Sequence, residues 1–213
     1  MTPLSQPDEA KPPKADNPLK PLLILVVVTV VAAAAYWLVQ RFFPLVMPEP
    51  TVHAGVGEPL SYLELSPLTG DAPPTSLADI KNHVTLLNFW GTWCPPCRNE
   101  LPHIAQLRQR FAGQEAFRLL AVSCPAGGQS NDVQSLQEET AALLKRLEFR
   151  LPTYYDPDGG TEFSVRKLIA EQGYPTTILL DRRGVIRAVW VGYRPGVETE
   201  MERYISQLLE EKK

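Results

Sequence analysis

The chain has 213 residues, 44% of them hydrophobic and 21% charged, enough for one ordinary globular core once any tail and anchor are set aside. Its formal charge of −3, from 24 acids against 21 bases, lacks the basic excess that a phosphate backbone demands and argues against nucleic acid as a partner. Three cysteines are too few for a disulfide-stapled scaffold, and only two lie close together, so they form a pair and leave one over.

Thirteen of the 21 prolines fall before residue 75, which points to an extended first third and a compact remainder. Residues 1–20 carry five prolines, Lys11, Lys14, Lys20 and three acids with little to bury, and are expected to form a disordered cytoplasmic tail. From Leu22 to Val39 no charge occurs; as a helix this run would reach about 27 Å at 1.5 Å per residue, close to the hydrocarbon thickness of a bilayer. A transmembrane helix is expected over residues 21–43, with Tyr36, Trp37, Phe42 and Phe43 around Arg41 at its far end and Pro44 closing it. The lysines ahead of it place the amino terminus inside the cell. A cleaved signal peptide, with Ala32–Ala35 as the cleavage region, is the alternative, and both readings export the rest of the chain. No cysteine comes soon enough after the apolar run for a lipid anchor. Residues 44–60, rich in Pro and Gly and containing His53, are expected to be a linker, and residues 61–213 the folded domain.

Ser61 to Asp79 reads as one or two short strands around a turn at Pro67–Gly70, with Ser76 or Asp79 as a helix cap. Alternating units begin at residue 84: strand Val84–Phe89, helix Pro96 to about Ala112, strand Ala116–Ser123, and helix Asp132–Leu147 with Val133, Leu136, Ala141, Leu144 and Leu147 at helical spacing. Strands apolar on both faces belong in a sheet covered by helices on both sides, so the class is α/β. A turn at Asp156–Gly160 precedes a helix to about Gln172. Strands Thr176–Leu180 and Val185–Val191 come next, joined by a hairpin turn, and a last helix, Val197–Glu211, is expected to bury Met201, Tyr204, Ile205 and Leu208.

Chemistry concentrates in Asn88–Phe89–Trp90–Gly91–Thr92–Trp93–Cys94–Pro95–Pro96–Cys97, a C-x-x-C where a buried strand meets a helix. Residues i and i+3 on one helical turn share a face about 5–6 Å apart, the separation a disulfide needs. Cys94 stands at the helix start, where unpaired N–H groups and the helix dipole favour its thiolate, which makes it the nucleophile. Cys97, one turn deeper, attacks second to release a mixed disulfide. Pro95 and Pro96 stiffen the turn at no cost in hydrogen bonds, because first-turn N–H groups have no helical acceptor.

FWGTWCPPC, with Tyr174–Pro175–Thr176 before a later strand, resembles the thioredoxin superfamily and is most similar to its membrane-anchored TlpA/ResA-like thiol-disulfide oxidoreductases over about residues 60–212. The resemblance implies a thioredoxin-like fold, a central mixed sheet with helices on both faces, here preceded by the single transmembrane helix. It also implies a cis Tyr174–Pro175 bond facing the cysteine pair, with Trp93, Tyr174, Pro175 and Thr176 binding substrate. Thioredoxins proper carry an Asp where this chain has Asn88, so another group must take the proton of Cys97. Glu100, three residues after Cys97 as in TlpA/ResA-like proteins, is the candidate, with a solvated helix carboxylate as the competing reading.

Half of a zinc site is the other reading of the pair, but it needs two more ligands from His53, His83, His103 and Cys124, none in a second paired motif. No metal or cofactor is expected. His103 reads as a surface residue, Cys124 as a small buried side chain or else a third redox partner, Trp90 as core, and Asp156 and Asp158 as turn residues rather than calcium ligands. The resemblance implies reduction of exported proteins such as apocytochrome c or metallochaperones at a bacterial inner membrane, the domain lying in the periplasm or outside the cell and fed by a membrane electron donor. A disulfide oxidant or isomerase, a redoxin-type peroxidase and a copper-binding module are the alternatives; the last two depart from the C-x-x-C spacing.

Overall fold

The computed structural model describes residues 19–42, 49–127, 132–170 and 173–211. The chain divides into two compact units, Met1–Pro48 and Glu49–Lys213. In the first, α1 is a helix over Leu19–Phe42, and residues 24–38 are exposed along it. Among the described residues no helix is long and apolar enough to cross a membrane. Parts of the expected span, the side chains of residues 21–23 and 39–42 and the whole of Phe43, fall outside the described residues, as do most of the expected tail and residues 44–48 of the expected linker.

The second unit runs β1 (Glu64–Thr69), β2 (Thr75–Ser76), β3 (Val84–Trp90), α2 (Pro95–Arg110), β4 (Phe117–Ser123), α3 (Val133–Arg146), β5 (Thr153–Tyr155), α4 (Gly160–Ile169), β6 (Thr176–Leu180), β7 (Ile186–Val191) and α5 (Val197–Glu210). One seven-stranded sheet has the order β2-β1-β5-β4-β3-β6-β7. It is mixed: β4 lies parallel to β3 and β5, while β6 runs antiparallel to β3 and β7. This is a thioredoxin-like α/β fold.

Every residue of β3 is buried, and the pleat sends alternate side chains to two cores. Val84, Leu86 and Trp90 pack with Leu101 and Ile104 of α2, Leu143 of α3 and Met201 and Ile205 of α5. Leu87 and Phe89 face Leu60, Leu63, Ile80 and, from α4, Val165 and Ile169. Helices therefore cover both faces, and β3, held between β4 and β6, delivers its C-terminal end to the start of α2.

Several local expectations shift. Pro67 and Thr69, read as a turn, belong to β1, whose register slips between them where it pairs with β5. No helix follows Ser76 or Asp79; residues 77–82 form a turn in which Asp79 Oδ2 reaches back to accept the Ser76 amide at 2.8 Å. In α3 the buried position is Thr140, bonded to Ser123 at 2.8 Å, while Ala141 is exposed. Tyr204 is only partly buried, and Val197 takes its place in the α5 core face. α4 stops at Ile169 because Ala170 turns left-handed at φ 56°; residues 171–172, to which it was expected to run, lie outside the described residues. Residues 50–60, expected as linker, are tied to the β7 edge: Pro50 and Glu58 carbonyls accept from Val189 and Ile186, at 2.8 and 2.9 Å, and Pro59 bridges Val185.

Candidate active site at the start of helix α2

Cys94 is the N-cap of α2, with extended backbone at φ −96° and ψ 107°. Its sulfur accepts the Cys97 amide at 3.2 Å, and its carbonyl accepts the Arg98 amide at 3.2 Å. Pro95 and Pro96 fill the first two helical positions, where no N–H acceptor is missed. The two cysteines form a disulfide with Cα atoms 5.3 Å apart. Both are buried, at 3% and 1% exposure, while Trp93 beside them stands 42% exposed. A sulfur already receiving a helix N–H is held where negative charge is stabilised, so the arrangement can support a Cys94 thiolate.

A buried polar cluster lies one turn further along α2. Glu100, one turn beyond Cys97 on α2, is 2% exposed, which overturns the reading of a solvated helix carboxylate. Its Oε2 accepts from Asn88 Nδ2 at 2.9 Å, and the same nitrogen donates to Thr177 Oγ1 at 2.8 Å. Glu100 Oε1 and Asn88 Oδ1 are buried with no hydrogen-bond partner among the described residues. Burial pushes the Glu100 carboxyl up to about 8, the Asn88 bond opposing and the Glu198 carboxylate adding to the rise. A carboxyl titrating there can take a proton from a neighbouring thiol near neutral pH.

On the other side, Tyr174–Pro175 is a cis bond. The Tyr174 ring meets Trp93 edge-on at 5.2 Å and carries the Arg166 guanidinium over its face at 4.8 Å. Its hydroxyl donates to Glu162, which also accepts from Arg166 Nε and Nη2 at 2.8 and 2.6 Å. Burial, then the neighbouring Cys124 and Glu162, push the Tyr174 hydroxyl far up. Thr176 is buried and bonds back to the Gly173 carbonyl at 2.7 Å. Trp93 Nε1 donates to the Cys124 carbonyl at 3.0 Å. Its indole lies so close over Gly91 that a Cβ there would fall 2.7 Å from Trp93 Cε2 and 3.0 Å from the Cys124 carbonyl.

Cys124 is a free, buried thiol whose pKa burial pushes far up, as the small-side-chain reading has it. His103 is half-buried rather than on the surface: its Nε2 meets the Tyr193 hydroxyl at 3.3 Å, with the rings stacked at 6.0 Å. Asp156 and Asp158 cap the start of α4, accepting from Glu162 N at 2.8 Å and Gly160 N at 2.9 Å. His83 lies apart from the site, its Nδ1 against the Lys81 carbonyl at 2.8 Å. Among the described residues no group of three or more His, Cys, Asp or Glu side chains could hold a metal ion. Sequence reasoning missed Thr177, Glu162, Arg166 and Glu198. Only the Glu162–Arg166 pair carries a local signal, its i,i+4 spacing on a helix.

The sequence matches the AhpC/TSA family over residues 56–189. The thioredoxin-like protein YneN of Bacillus subtilis is 31% identical over 147 residues, covering 68% of this chain and 77% of the relative. The chain belongs to the AhpC/TSA family. Within it, the thiol-disulfide oxidoreductase ResA of Bacillus cereus is 25% identical over 136 residues, covering 62% of this chain and 67% of its own. Among solved structures, a crystal structure described as a thiol:disulfide interchange protein DsbE from Chlorobium tepidum superposes with a TM-score of 0.56 at 26% identity, over 72% of this chain and 97% of that one. With its Cys94–Cys97 disulfide at the start of α2, this AhpC/TSA-family chain is a thioredoxin-like thiol-disulfide oxidoreductase.

Proposed function

We propose that the chain is anchored in a bacterial inner membrane by α1 and reduces disulfides of exported proteins, apocytochrome c or metallochaperones among them, through Cys94 and Cys97. The observation that carries this reading is a helix-capping disulfide with a buried carboxyl one turn further along the same helix. In the reduced enzyme the Cys94 thiolate attacks a substrate disulfide and forms a mixed disulfide. Cys97 then gives its proton to Glu100 and bonds to Cys94, breaking the bond to substrate, whose second thiolate leaves and takes a proton from water. The substrate gains two electrons and the cysteine pair loses them. Trp93, Tyr174, Pro175 and Thr176 form the strip on which the substrate chain lies, and a membrane donor of thiol equivalents restores the dithiol.

The uncharged run Leu22–Val39 supports the anchor, with the tail inside and the domain outside. Membranes washed at alkaline pH should retain the full chain and release one lacking residues 1–43; release of both would remove the anchor. A redoxin-type peroxidase needs a reactive lone cysteine, whereas the sulfurs at α2 are paired and Cys124 is buried.

Direction is decided by potential. Known C-x-x-C couples run from about −270 mV for thioredoxin to about −120 mV for DsbA. Equilibrating the full-length chain with thiol buffers and reading alkylation by mass, with Cys94→Ala and Cys124→Ala as controls, should give a reversible two-thiol couple toward the reducing end. A couple near the oxidising end would make the chain an oxidant of exported proteins, and no reversible couple would end the catalytic reading.

A further inference from the structure

Glu162 and Arg166 stand one turn apart on α4 and direct their polar groups to a single ring outside that helix, that of Tyr174. One carboxylate oxygen, Glu162 Oε1, accepts from the Tyr174 hydroxyl and from Arg166 Nε and Nη2. The same guanidinium lies 4.8 Å from the centre of the Tyr174 ring. Tyr174 is thus held at its tip and on its face by two side chains at 23% and 22% exposure. An i,i+4 ion pair on a helix surface adds little to stability by itself; here both partners are turned onto a third residue.

That hold reaches the cysteine pair through Trp93. The Tyr174 ring meets the Trp93 indole edge-on, with centres 5.2 Å apart and planes at 81°, and Trp93 Nε1 donates to the Cys124 carbonyl at 3.0 Å. Trp93 immediately precedes Cys94 and is 42% exposed, while Tyr174 packs against the core cluster that contains both cysteines. An exposed indole free to turn would have to be ordered each time a polypeptide docked, and binding would be weaker for it. Fixed by Tyr174 and the Cys124 carbonyl, it is ordered before any partner arrives.

We propose that Glu162 and Arg166 are positioning residues for protein substrates, holding Tyr174, and through it Trp93, in the arrangement that an extended cysteine-containing chain meets at the disulfide. This rests on the reading of Trp93 and Tyr174 as part of the substrate strip. Neither α4 residue takes part in the sulfur exchange. They govern how readily a polypeptide docks, and the attack by Cys94, whose thiolate is favoured by the start of α2, keeps its own rate.

The test uses the full-length reduced chain and a short unstructured peptide whose single cysteine carries thionitrobenzoate in a disulfide. Cys94 attacks the peptide sulfur, the new disulfide joins Cys94 to the peptide, and the coloured thionitrobenzoate thiolate leaves with the electron pair of the broken bond. Its release is followed against peptide concentration. Glu162→Ala and Arg166→Ala should each raise the half-saturating concentration about three- to tenfold, since binding must then order side chains that the fold no longer holds. The limiting rate should change by less than about twofold. Lys167→Ala, at an exposed position of the same helix, should leave both in place. Tyr174→Ala should raise the half-saturating concentration at least as far, and Glu162→Ala added to it should raise it no further. Glu162→Gln, which keeps the length of the side chain, gives the same direction if the alanine variant does not fold. A half-saturating concentration that either α4 variant leaves unmoved, or a Glu162 effect that persists without the Tyr174 ring, overturns the proposal while the strip reading stands. If Tyr174→Ala itself leaves that concentration unmoved, the strip reading falls and this proposal with it.

Discussion

Glu100 is a residue the fold holds against its own stability. Its carboxyl titrates at about 8 rather than 4.5, so the folded state binds a proton that the unfolded state releases between those values. Stability from this group is whole below about pH 4.5, falls as pH rises through 8, and is gone above it. Glu100→Gln, which stays neutral, should therefore match the wild type near pH 4.5 and exceed it at pH 9 by a few kcal/mol, read by urea unfolding of the oxidised chain. A variant no more stable at pH 9 would mean the carboxylate is solvated after all. Asn88 acts the other way: its amide is a donor to Glu100 and lowers the carboxyl's pKa. Asn88→Ala should move the pH midpoint of mixed-disulfide resolution above 8; a midpoint left in place would show that the amide does not reach the carboxyl.

At the scale of elements, the β3–α2 junction depends on a residue without a side chain. Gly91 lets the Trp93 indole fold back over the chain and reach the Cys124 carbonyl. Gly91→Ala should displace that ring, lowering stability by about 1–3 kcal/mol and the rate of protein-disulfide reduction with it; an unchanged rate would show that Trp93 does not shape the substrate strip. The junction was legible in the sequence because strand, N-cap, prolines and cysteines are all local signals. β5 was not: three residues, Thr153–Tyr155, become a strand only by lying between β1 and β4. Thr140 escaped for a related reason, since its burial depends on Ser123 of a different element. Likewise Glu100 could be nominated from its spacing to Cys97, whereas the parts of Thr177 and Glu162 arise from contacts with Asn88 and Tyr174, distant in sequence.

At the scale of the folded unit, the sheet divides the interior into two cores. Leu86 belongs to one and Leu87 to the other, both with 0% exposure. Alanine at either should cost about 2–5 kcal/mol, and the double variant should lose nearly the sum, with coupling below about 0.5 kcal/mol; a large coupling would mean the two faces pack as one. The general architecture followed from alternating apolar strands and helices, while residues 50–60 looked like spacer because their Pro and Gly content hides pairing with β7. That pairing has a bearing on the company the enzyme keeps. An open sheet edge invites an extended segment of another chain to add a strand and draw it into aggregates. Here β2 ends the sheet with two residues, Thr75–Ser76, and the outer flank of β7 is occupied by its own chain at Pro50, Glu58 and Pro59. The cysteine pair stands at one end of the sheet, and among the described residues little unpaired backbone runs along either side.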